Sequence, residues 1–261
     1  MKLSIVTACF NSAATIEDTL RSVAAQRGVE IEHIVVDGGS TDGTMAIVRR
    51  FPHVAVAISE PDRGLYDAMN KGLARATGDA IGFLNSDDFF CRPDAAARIA
   101  AALDGADIAF ADVALVDQHD VRRMRRLYRV RGYRPWMLRI GHMPPHPTLY
   151  ARRRVFDRVG GFDPRYRIAG DFDFAVRALL KERIPFRTVE ATLVGFRFGG
   201  VSTRNVGATM TINREIAASL RANGCAMPRW ALFLRYPWKA LQYLSRPQDY
   251  GGRFWTTEPA Q

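Results

Sequence analysis

Short apolar runs rich in β-branched residues alternate with amphipathic segments through the first half of the chain. The apolar runs predict five strands, over 2–8, 31–36, 54–59, 80–84 and 107–111. Between them, apolar residues recur at helical spacing and predict helices over 12–26, 44–50, 65–76 and 93–103. This alternation predicts an α/β fold in which helices cover both faces of a mostly parallel sheet.

The pattern changes beyond residue 112. A stretch over 121–139 interleaves eight arginines with aromatic residues, and the proline-dense segment 141–147 predicts a loop outside the core. Further on, the sequence predicts strands over 186–189 and 193–198, and helices over 155–159, 169–183 and 203–223. We therefore expect one large domain over 1–202, divided at about residue 112, and a helical C-terminal region over 203–261.

Polar side chains stand at or just past four predicted strand ends, at Asn11, Asp37, Glu60 and Asp87. Because parallel strands end at one edge of a sheet, and ligands bind there, we expect these side chains to gather at one rim. Asp87 and Asp88 are adjacent carboxylates, which suit a divalent cation together with a phosphorylated ligand. The pattern is typical of an enzyme that acts on a nucleotide.

Composition changes this picture mainly through charge. Lys and Arg number 37 against 27 Asp and Glu, and the net charge of +10 favours anionic partners such as nucleotide sugars, pyrophosphate lipids, anionic bilayers or nucleic acid. The three cysteines lie far apart, which predicts neither a zinc site nor a disulfide framework. No run approaches the ~20 apolar residues of a membrane span, and the first apolar run is too short for a signal peptide. We expect a cytoplasmic protein, either free or peripheral on the inner face of the cell membrane.

Several ordered motifs carry a resemblance to a known family. They are Ser4-Ile5-Val6-Thr7 with Asn11, the turn Asp37-Gly38-Gly39-Ser40-Thr41-Asp42-Gly43, then Asn70-Lys71-Gly72, Asn85-Ser86-Asp87-Asp88 and Gly170-Asp171-Phe172-Asp173. Over about residues 3–202 the chain resembles the inverting family 2 glycosyltransferases, which have the GT-A fold. The segment 60–70 looks most like bacterial members that build exopolysaccharide or colanic-acid-type surface glycans.

The resemblance implies transfer of a sugar, with inversion, from a nucleotide-diphosphate sugar to a glycan or a lipid-linked saccharide. UDP is the expected nucleotide, and a polyprenyl pyrophosphate is the expected lipid carrier. The implied nucleotide-sugar half covers about 1–112, and the implied acceptor half covers about 113–202.

The resemblance also assigns residues to the donor side of the site. Asp37 would accept a hydrogen bond from the nucleobase; the lesser alternative is that its carboxylate organises the turn that follows or caps the next helix. Asp87, together with Asp88, would hold Mg²⁺ or Mn²⁺ against the two phosphates. Asn85 stands where the family commonly has an aspartate. The implied donor contacts also include Thr7, Asn11, Asp62, Lys71, Asn85 and Ser86.

On the acceptor side, Asp171 matches the catalytic base of the family. Such a base takes the proton of the acceptor hydroxyl on the far side of the sugar from the leaving group. Asp173, two residues further on, is the alternative base. His146 is an implied phosphate or acceptor contact, and Arg197 would make a phosphate contact near a turn where many relatives have a histidine.

Residues 228–246 combine basic and aromatic side chains in an amphipathic pattern suited to a bilayer interface. We expect this segment either to attach the chain to a membrane surface or to pack against the large domain.

The sequence leaves three alternative functions open. They are a nucleotidyltransferase, a nucleic-acid-binding module built on 121–139, and a catalytically silent relative. A nucleic-acid module needs no ordered series of carboxylates, so we expect no nucleic acid among the partners.

Overall fold

A computed structural model of the chain describes residues 1–198, 206–225 and 230–231. Its strands are β1 (Lys2–Cys9), β2 (Glu30–Asp37), β3 (Val54–Ser59), β4 (Ala80–Phe83), β5 (Asp88–Phe90), β6 (Ile108–Val116), β7 (Met124–Tyr128), β8 (Tyr150–Arg152) and β9 (Phe186–Arg197). Its α-helices are α1 (Ile16–Ala24), α2 (Thr44–Val48), α3 (Leu65–Arg75), α4 (Ala95–Ala102), α5 (Arg153–Val159), α6 (Gly170–Ala175) and α7 (Val206–Ala222). A π-helical segment, Val176–Lys181, continues α6, and two 3-10 turns cover Pro135–Ile140 and His146–Thr148.

In the described part of the chain, the strands form one sheet in the order β3-β2-β1-β4-β8-β6-β9-β5, with β7 paired to β6. The first four strands of this order run parallel, and β6 and β9 are also parallel to each other. The short strands β5, β7 and β8 join antiparallel. The result is the predicted α/β sheet between helices, with its parallel strands ending at one edge.

Successive residues of β1 pack on opposite faces of the sheet. Leu3 and Ile5 join an apolar cluster that includes residues of α1 and α4, whereas Val6 and Ala8 join a larger cluster with residues of α3, α5 and α6. This alternation follows from the two-residue repeat of a strand, and it explains why β1 is apolar almost throughout. Gly82 in β4 is required by this packing, because an added Cβ would lie 2.2 Å from the ring of Tyr150.

The second half of the chain departs from the sequence-based prediction in two places. Strand β6 continues to Val116, beyond the end of the strand predicted over 107–111. The strands predicted over 186–189 and 193–198 are one continuous strand, β9, with a register irregularity opposite Ala111 and Asp112.

The segment 141–147 contains no strand or α-helix, as the predicted loop requires, but it lies in the core and not outside it. His142 and Pro147 are buried, and the Thr148 hydroxyl, which is fully buried, donates to the carbonyl of Ala111 and of Pro145. A buried turn is stable when its polar groups find such partners. This segment therefore packs against β6 and brings His146 into the interior.

Helix α7 packs against α6, and it matches the helix predicted over 203–223. The predicted membrane-binding segment 228–246 lies outside the described residues apart from Trp230 and Ala231. No helix in the described part of the chain is long and apolar enough to cross a membrane.

Candidate active site

The segments that follow β1, β2, β3 and β4 are hydrogen-bonded to one another at one edge of the sheet. The Gly38 N–H donates to the Cys9 carbonyl at 2.9 Å, and the Glu60 N–H donates to the Asp37 carbonyl at 3.0 Å. The Ser86 N–H donates to the Ala8 carbonyl at 3.3 Å. The four strand ends therefore form the single rim at which ligands of such sheets bind.

Asp37 is fully buried at this rim and organises the turn that follows β2. It accepts hydrogen bonds from the backbone N–H of Ser40 at 2.9 Å and from the hydroxyl groups of Ser40 and Ser59. Burial alone would raise the pKa of Asp37, but these hydrogen bonds outweigh it and hold the pKa below its ordinary value. Its carboxylate thus has the turn-organising contacts that the sequence left as an alternative to base recognition.

Asn11 also shapes the rim. Its backbone is in the left-handed region, with φ 48, its side-chain oxygen accepts from the Thr41 N–H at 3.0 Å, and its own N–H donates to the Ser40 hydroxyl at 2.7 Å. These contacts join the turn after β1 to the turn after β2.

Phe10 precedes Asn11 and is 61% exposed. An added Cβ on Gly38 would lie 2.4 Å from an Asp62 carboxylate oxygen and 3.4 Å from the Phe10 ring, so glycine lets both side chains approach this point. The rim therefore carries an exposed aromatic face beside a carboxylate. Sequence reasoning did not single out Phe10, although an aromatic residue directly after an apolar strand was the available signal.

Two predicted donor contacts are engaged within the protein. Thr7 is fully buried, its hydroxyl donates to the Leu84 carbonyl at 2.7 Å, and it lies 3.0 Å from the His33 ring. The structure therefore places Thr7 inside the sheet and not on the rim. Lys71 forms an ion pair with Glu60 at 2.9 Å and donates to the Pro61 carbonyl, which keeps its ammonium group at the segment following β3.

The acidic segment after β4 contains buried oxygen atoms without hydrogen-bond partners. Within the described structure, these are both carboxylate oxygens of Asp88 and the side-chain oxygen of Asn85, while the Ser86 hydroxyl donates to Ser12. Burial, reinforced by the charge of Asp87, raises the pKa of Asp88 well above its ordinary value. Burial also raises the pKa of Asp87, and the Arg197 charge opposes that rise. Unpartnered buried oxygens are rare in proteins, and they mark this segment as a candidate ligand site.

The donor set at Asp87 and Asp88 fits a hard divalent cation. Among the residues that the structure describes, no three His, Cys, Asp or Glu side chains cluster as a complete metal site. Mg²⁺ usually binds through one or two carboxylates and takes its remaining ligands from water and substrate phosphates. The half-buried Asp87 is therefore a suitable protein ligand for Mg²⁺ or Mn²⁺ when a diphosphate is bound beside it, while the neighbouring Asp88 is fully buried at the start of β5.

Arg197, which was predicted to contact phosphate, is buried at 4% exposure. It forms an ion pair with Asp18 of α1, donates to the backbone carbonyl of Asp87 at 2.8 Å, and lies over the Phe89 ring. The guanidinium group therefore stabilises the backbone of the acidic segment from the protein interior.

Arg197→Ala is expected to lower the free energy of unfolding by about 3 kcal/mol, because it removes the largely buried ion pair with Asp18. Urea denaturation followed by circular dichroism measures the change. Arg123→Ala is a suitable control, since Arg123 is exposed and forms no ion pair with the described carboxylates. A loss of less than about 1 kcal/mol for Arg197→Ala would show that the pair is not structural.

Asp171 lies on the first turn of α6 and is half-buried. Its carboxylate accepts from the Phe172 N–H at 2.8 Å and lies 3.1 Å from the Tyr66 hydroxyl, which also donates to the Ile168 carbonyl at 2.6 Å. Tyr66 belongs to α3, the helix that follows the rim segment after β3. Tyr66 therefore links the predicted base to the rim, a role that sequence reasoning missed.

His146 lies between Asp171 and the end of β4. Its ring stacks on Phe83, the last residue of β4, with ring centroids 5.9 Å apart, and its Nε2 atom is buried without a partner in the described structure. Burial lowers the pKa of His146, and the charge of Asp171 opposes this. Burial therefore favours the neutral form of the His146 imidazole, close enough to the predicted base to feel its charge.

Asp173, the alternative base, is buried and has several partners. Its carboxylate pairs with Arg177 at 2.8 Å and accepts from Ser219 at 2.7 Å and Asn223 at 3.1 Å. These partners fasten α6 to α7. Of the two aspartates, Asp171 is the one whose carboxylate has no cationic partner among the described residues.

The model of glycosyl transferase family 2 matches residues 4–160. The chain belongs to this family and is therefore a glycosyltransferase. An uncharacterized glycosyltransferase of Mycobacterium tuberculosis is 39% identical over 184 residues, which cover 68% of this chain and 69% of the relative. A glycosyltransferase of PGL/p-HBAD biosynthesis from Mycobacterium bovis is 30% identical over 207 residues, which cover 76% of this chain and 78% of the relative.

Solved structures share the fold. A mannosyltransferase of Pyrobaculum calidifontis in complex with GDP-Man and Mn²⁺ has a TM-score of 0.64 at 21% identity. The match covers 93% of this chain and 72% of the mannosyltransferase chain. S. aureus TarS in complex with UDP-GlcNAc has a TM-score of 0.62 at 19% identity, and the match covers 89% of this chain and 70% of that TarS chain. Against another TarS chain, the match covers only 40% of that chain. At these identities the similarity bears on the fold alone, and the predicted GT-A α/β fold is confirmed.

Proposed function

We propose that this glycosyltransferase transfers a sugar, with inversion, from a nucleotide-diphosphate sugar to a saccharide or polyprenyl-pyrophosphate-linked acceptor. UDP is the nucleotide that we favour, and synthesis of a surface glycan is the proposed setting. One observation carries the proposal. After β4, at the edge where ligands of parallel sheets bind, both carboxylate oxygens of Asp88 lack a partner among the described residues, and the half-buried Asp87 precedes them. Asp171 accepts a hydrogen bond from Tyr66, the second residue of the helix that follows the segment after β3.

In the proposed reaction, Asp87, together with Asp88, would hold a divalent cation. Mg²⁺ or Mn²⁺ bound there would stabilise the negative charge that grows on the departing nucleoside diphosphate. Asp171 orients the acceptor hydroxyl and takes its proton as the oxygen attacks the anomeric carbon. His146 is a proposed phosphate or acceptor contact, because its buried Nε2 atom has no partner among the described residues.

Phe10 and Asp62 complete the proposed donor side. The exposed Phe10 ring offers a face on which a nucleobase can stack, and Asn11 and Asp37 hold the turns around it. Because Thr7 is enclosed in the sheet and Arg197 is paired with Asp18, neither belongs to the proposed contact surface.

The acceptor is proposed from chemistry and from one relative. The relative from Mycobacterium bovis is named for PGL/p-HBAD biosynthesis, which supports a glycan or lipid-linked acceptor for this chain. An acceptor on a lipid carrier must be reached at a bilayer surface. Peripheral attachment through 228–246, at the inner face of the cell membrane, therefore remains part of the proposal.

A panel of nucleotide sugars tests the proposed function. Each donor is incubated with the intact chain and saccharide or lipid-linked acceptors, with and without Mn²⁺, and released nucleoside diphosphate is measured. We expect release with one donor class, stimulated by Mn²⁺ and abolished by EDTA. Absence of release and of glycosylated product with every donor would favour a catalytically silent relative.

Phe10→Ala is expected to weaken nucleoside diphosphate binding by about tenfold, because base–aromatic stacking contributes about 1–3 kcal/mol. Calorimetric titration with UDP and with GDP measures the affinity and also identifies the preferred base. Phe10→Tyr keeps the ring face and should bind within about twofold of the unmodified chain. Equal affinity of Phe10→Ala and the unmodified chain would exclude stacking on this residue.

A further inference from the structure

We propose that Glu215 of α7 is a positioning residue for the base Asp171. Glu215 lies outside the residues that the family model matches, 4–160. The inference rests on the proposed function, because it concerns the residue that deprotonates the acceptor. Its basis is the set of contacts that Glu215 makes with the backbone immediately before α6.

The Glu215 carboxylate accepts hydrogen bonds from three consecutive backbone N–H groups. These belong to Arg167 at 2.9 Å, Ile168 at 2.9 Å and Ala169 at 2.8 Å. Ala169 directly precedes α6, and Asp171 is the second residue of that helix. The three contacts therefore fix the path by which the chain enters the turn that carries Asp171.

The same segment is held from its other side by Tyr66. The Tyr66 hydroxyl donates to the Ile168 carbonyl, so both the N–H and the carbonyl of Ile168 have partners from other helices. An added Cβ on Gly170 would lie 2.8 Å from the Tyr66 ring, which shows how closely α3 approaches the start of α6. With Glu215 on one side and Tyr66 on the other, the backbone before Asp171 has little freedom to move.

Helix α7 also contacts Asp173, two residues after Asp171. Ser219, one helical turn beyond Glu215, donates to the Asp173 carboxylate at 2.7 Å. Asp171 thus lies between two anchoring points supplied by one helix. A carboxylate that accepts several backbone N–H groups forms charge-assisted hydrogen bonds, which are stronger than neutral ones.

The consequence for catalysis comes from geometry. A base must lie within hydrogen-bonding distance of the hydroxyl it deprotonates, and a displacement of about 1 Å can cost about a hundredfold in rate. Loss of the Glu215 contacts would free three N–H groups and let the turn shift. Nucleotide binding at the ends of β1 and β2 would be unaffected, because the contacts that the structure describes for Glu215 are with the backbone of 167–169.

The experiment compares Glu215→Gln and Glu215→Ala with Arg214→Gln. An amide at 215 has only one accepting oxygen and directs an NH₂ group toward the backbone donors, whereas Arg214 is an exposed neighbour on the same helix. For both Glu215 variants we expect kcat to fall by about tenfold to a hundredfold, with KM for the nucleotide sugar within about twofold. Hydrogen exchange of the 166–172 amides should accelerate at least about tenfold, while exchange in β1 stays unchanged. Arg214→Gln should match the unmodified chain.

Two results would overturn the inference. One is a kcat within about twofold of the unmodified chain for Glu215→Gln, with unchanged exchange over 166–172. The other is a loss of nucleotide binding together with faster exchange throughout the sheet, which would indicate a general stabilising role. If the unmodified chain transfers no sugar from any donor, the proposed function fails, and the exchange comparison alone then decides whether Glu215 holds the turn.

Discussion

Asp171→Asn is expected to lower kcat by about a thousandfold, because general base catalysis contributes about 10²–10⁴-fold and an amide cannot take up the acceptor proton. The Asn side chain has nearly the same shape and keeps an oxygen that can accept from the Phe172 N–H and from Tyr66. Donor affinity should therefore be retained. Steady-state kinetics with a matched donor and acceptor, together with calorimetric titration of the donor, measure the two effects separately.

Asp173→Asn is the informative control for this prediction. Asp173 forms the buried ion pair with Arg177, so its replacement should lower the free energy of unfolding and leave a folded variant with measurable transfer. If Asp173→Asn abolished transfer in a folded protein while Asp171→Asn remained active, the assignment of the base would be reversed.

Asp87→Ala is expected to lower transfer by about a hundredfold or more and to remove its stimulation by Mn²⁺, because charge stabilisation of the leaving diphosphate by a cation contributes several kcal/mol. Mn²⁺ binding in the presence of UDP, followed by electron paramagnetic resonance, gives a readout that does not require turnover. Burial raises the pKa of Asp87, and protons compete with a cation for its carboxylate. Mn²⁺ affinity of the unmodified chain should therefore increase as pH rises from acidic values toward neutrality.

Asp104→Ala provides the matched control for Asp87→Ala. Asp104 is exposed and precedes β6, which places it away from the ends of the parallel strands β1 to β4. This variant should bind Mn²⁺ and transfer sugar like the unmodified chain. Unchanged Mn²⁺ stimulation in Asp87→Ala would mean that the cation, if used, is held elsewhere.

The sheet could be predicted from sequence where its strands are locally apolar. The bounds of β3, Val54–Ser59, are those the pattern predicts, because both ends of the run are marked by polar or turn-forming residues. β9 was predicted as two strands because Glu190 and Thr192 interrupt its apolar run. The strand continues through them because its partner β6 continues alongside, and the mismatch is absorbed by a local irregularity.

The buried segment at 141–147 shows the limit of local rules. Proline-rich sequences usually predict loops, and the hydrogen bonds that stabilise this one inside the core come from Ala111 and Thr148, which are 37 residues apart.

The same limit applies to the candidate active site. Asp87 and Asp171 could be proposed from ordered motifs, but Tyr66 and Glu215 act on partners 105 and 46–48 residues away. Only the folded chain brings them together.

The most direct test of the proposed site is a crystal structure of the chain with Mn²⁺ and an intact, non-hydrolysable nucleotide sugar. We predict that the diphosphate and Asp87 share the cation, and that the anomeric carbon lies between the diphosphate and Asp171. A diphosphate bound away from Asp87 would contradict the proposal. So would a sugar bound with Asp171 anywhere other than on the side opposite the diphosphate.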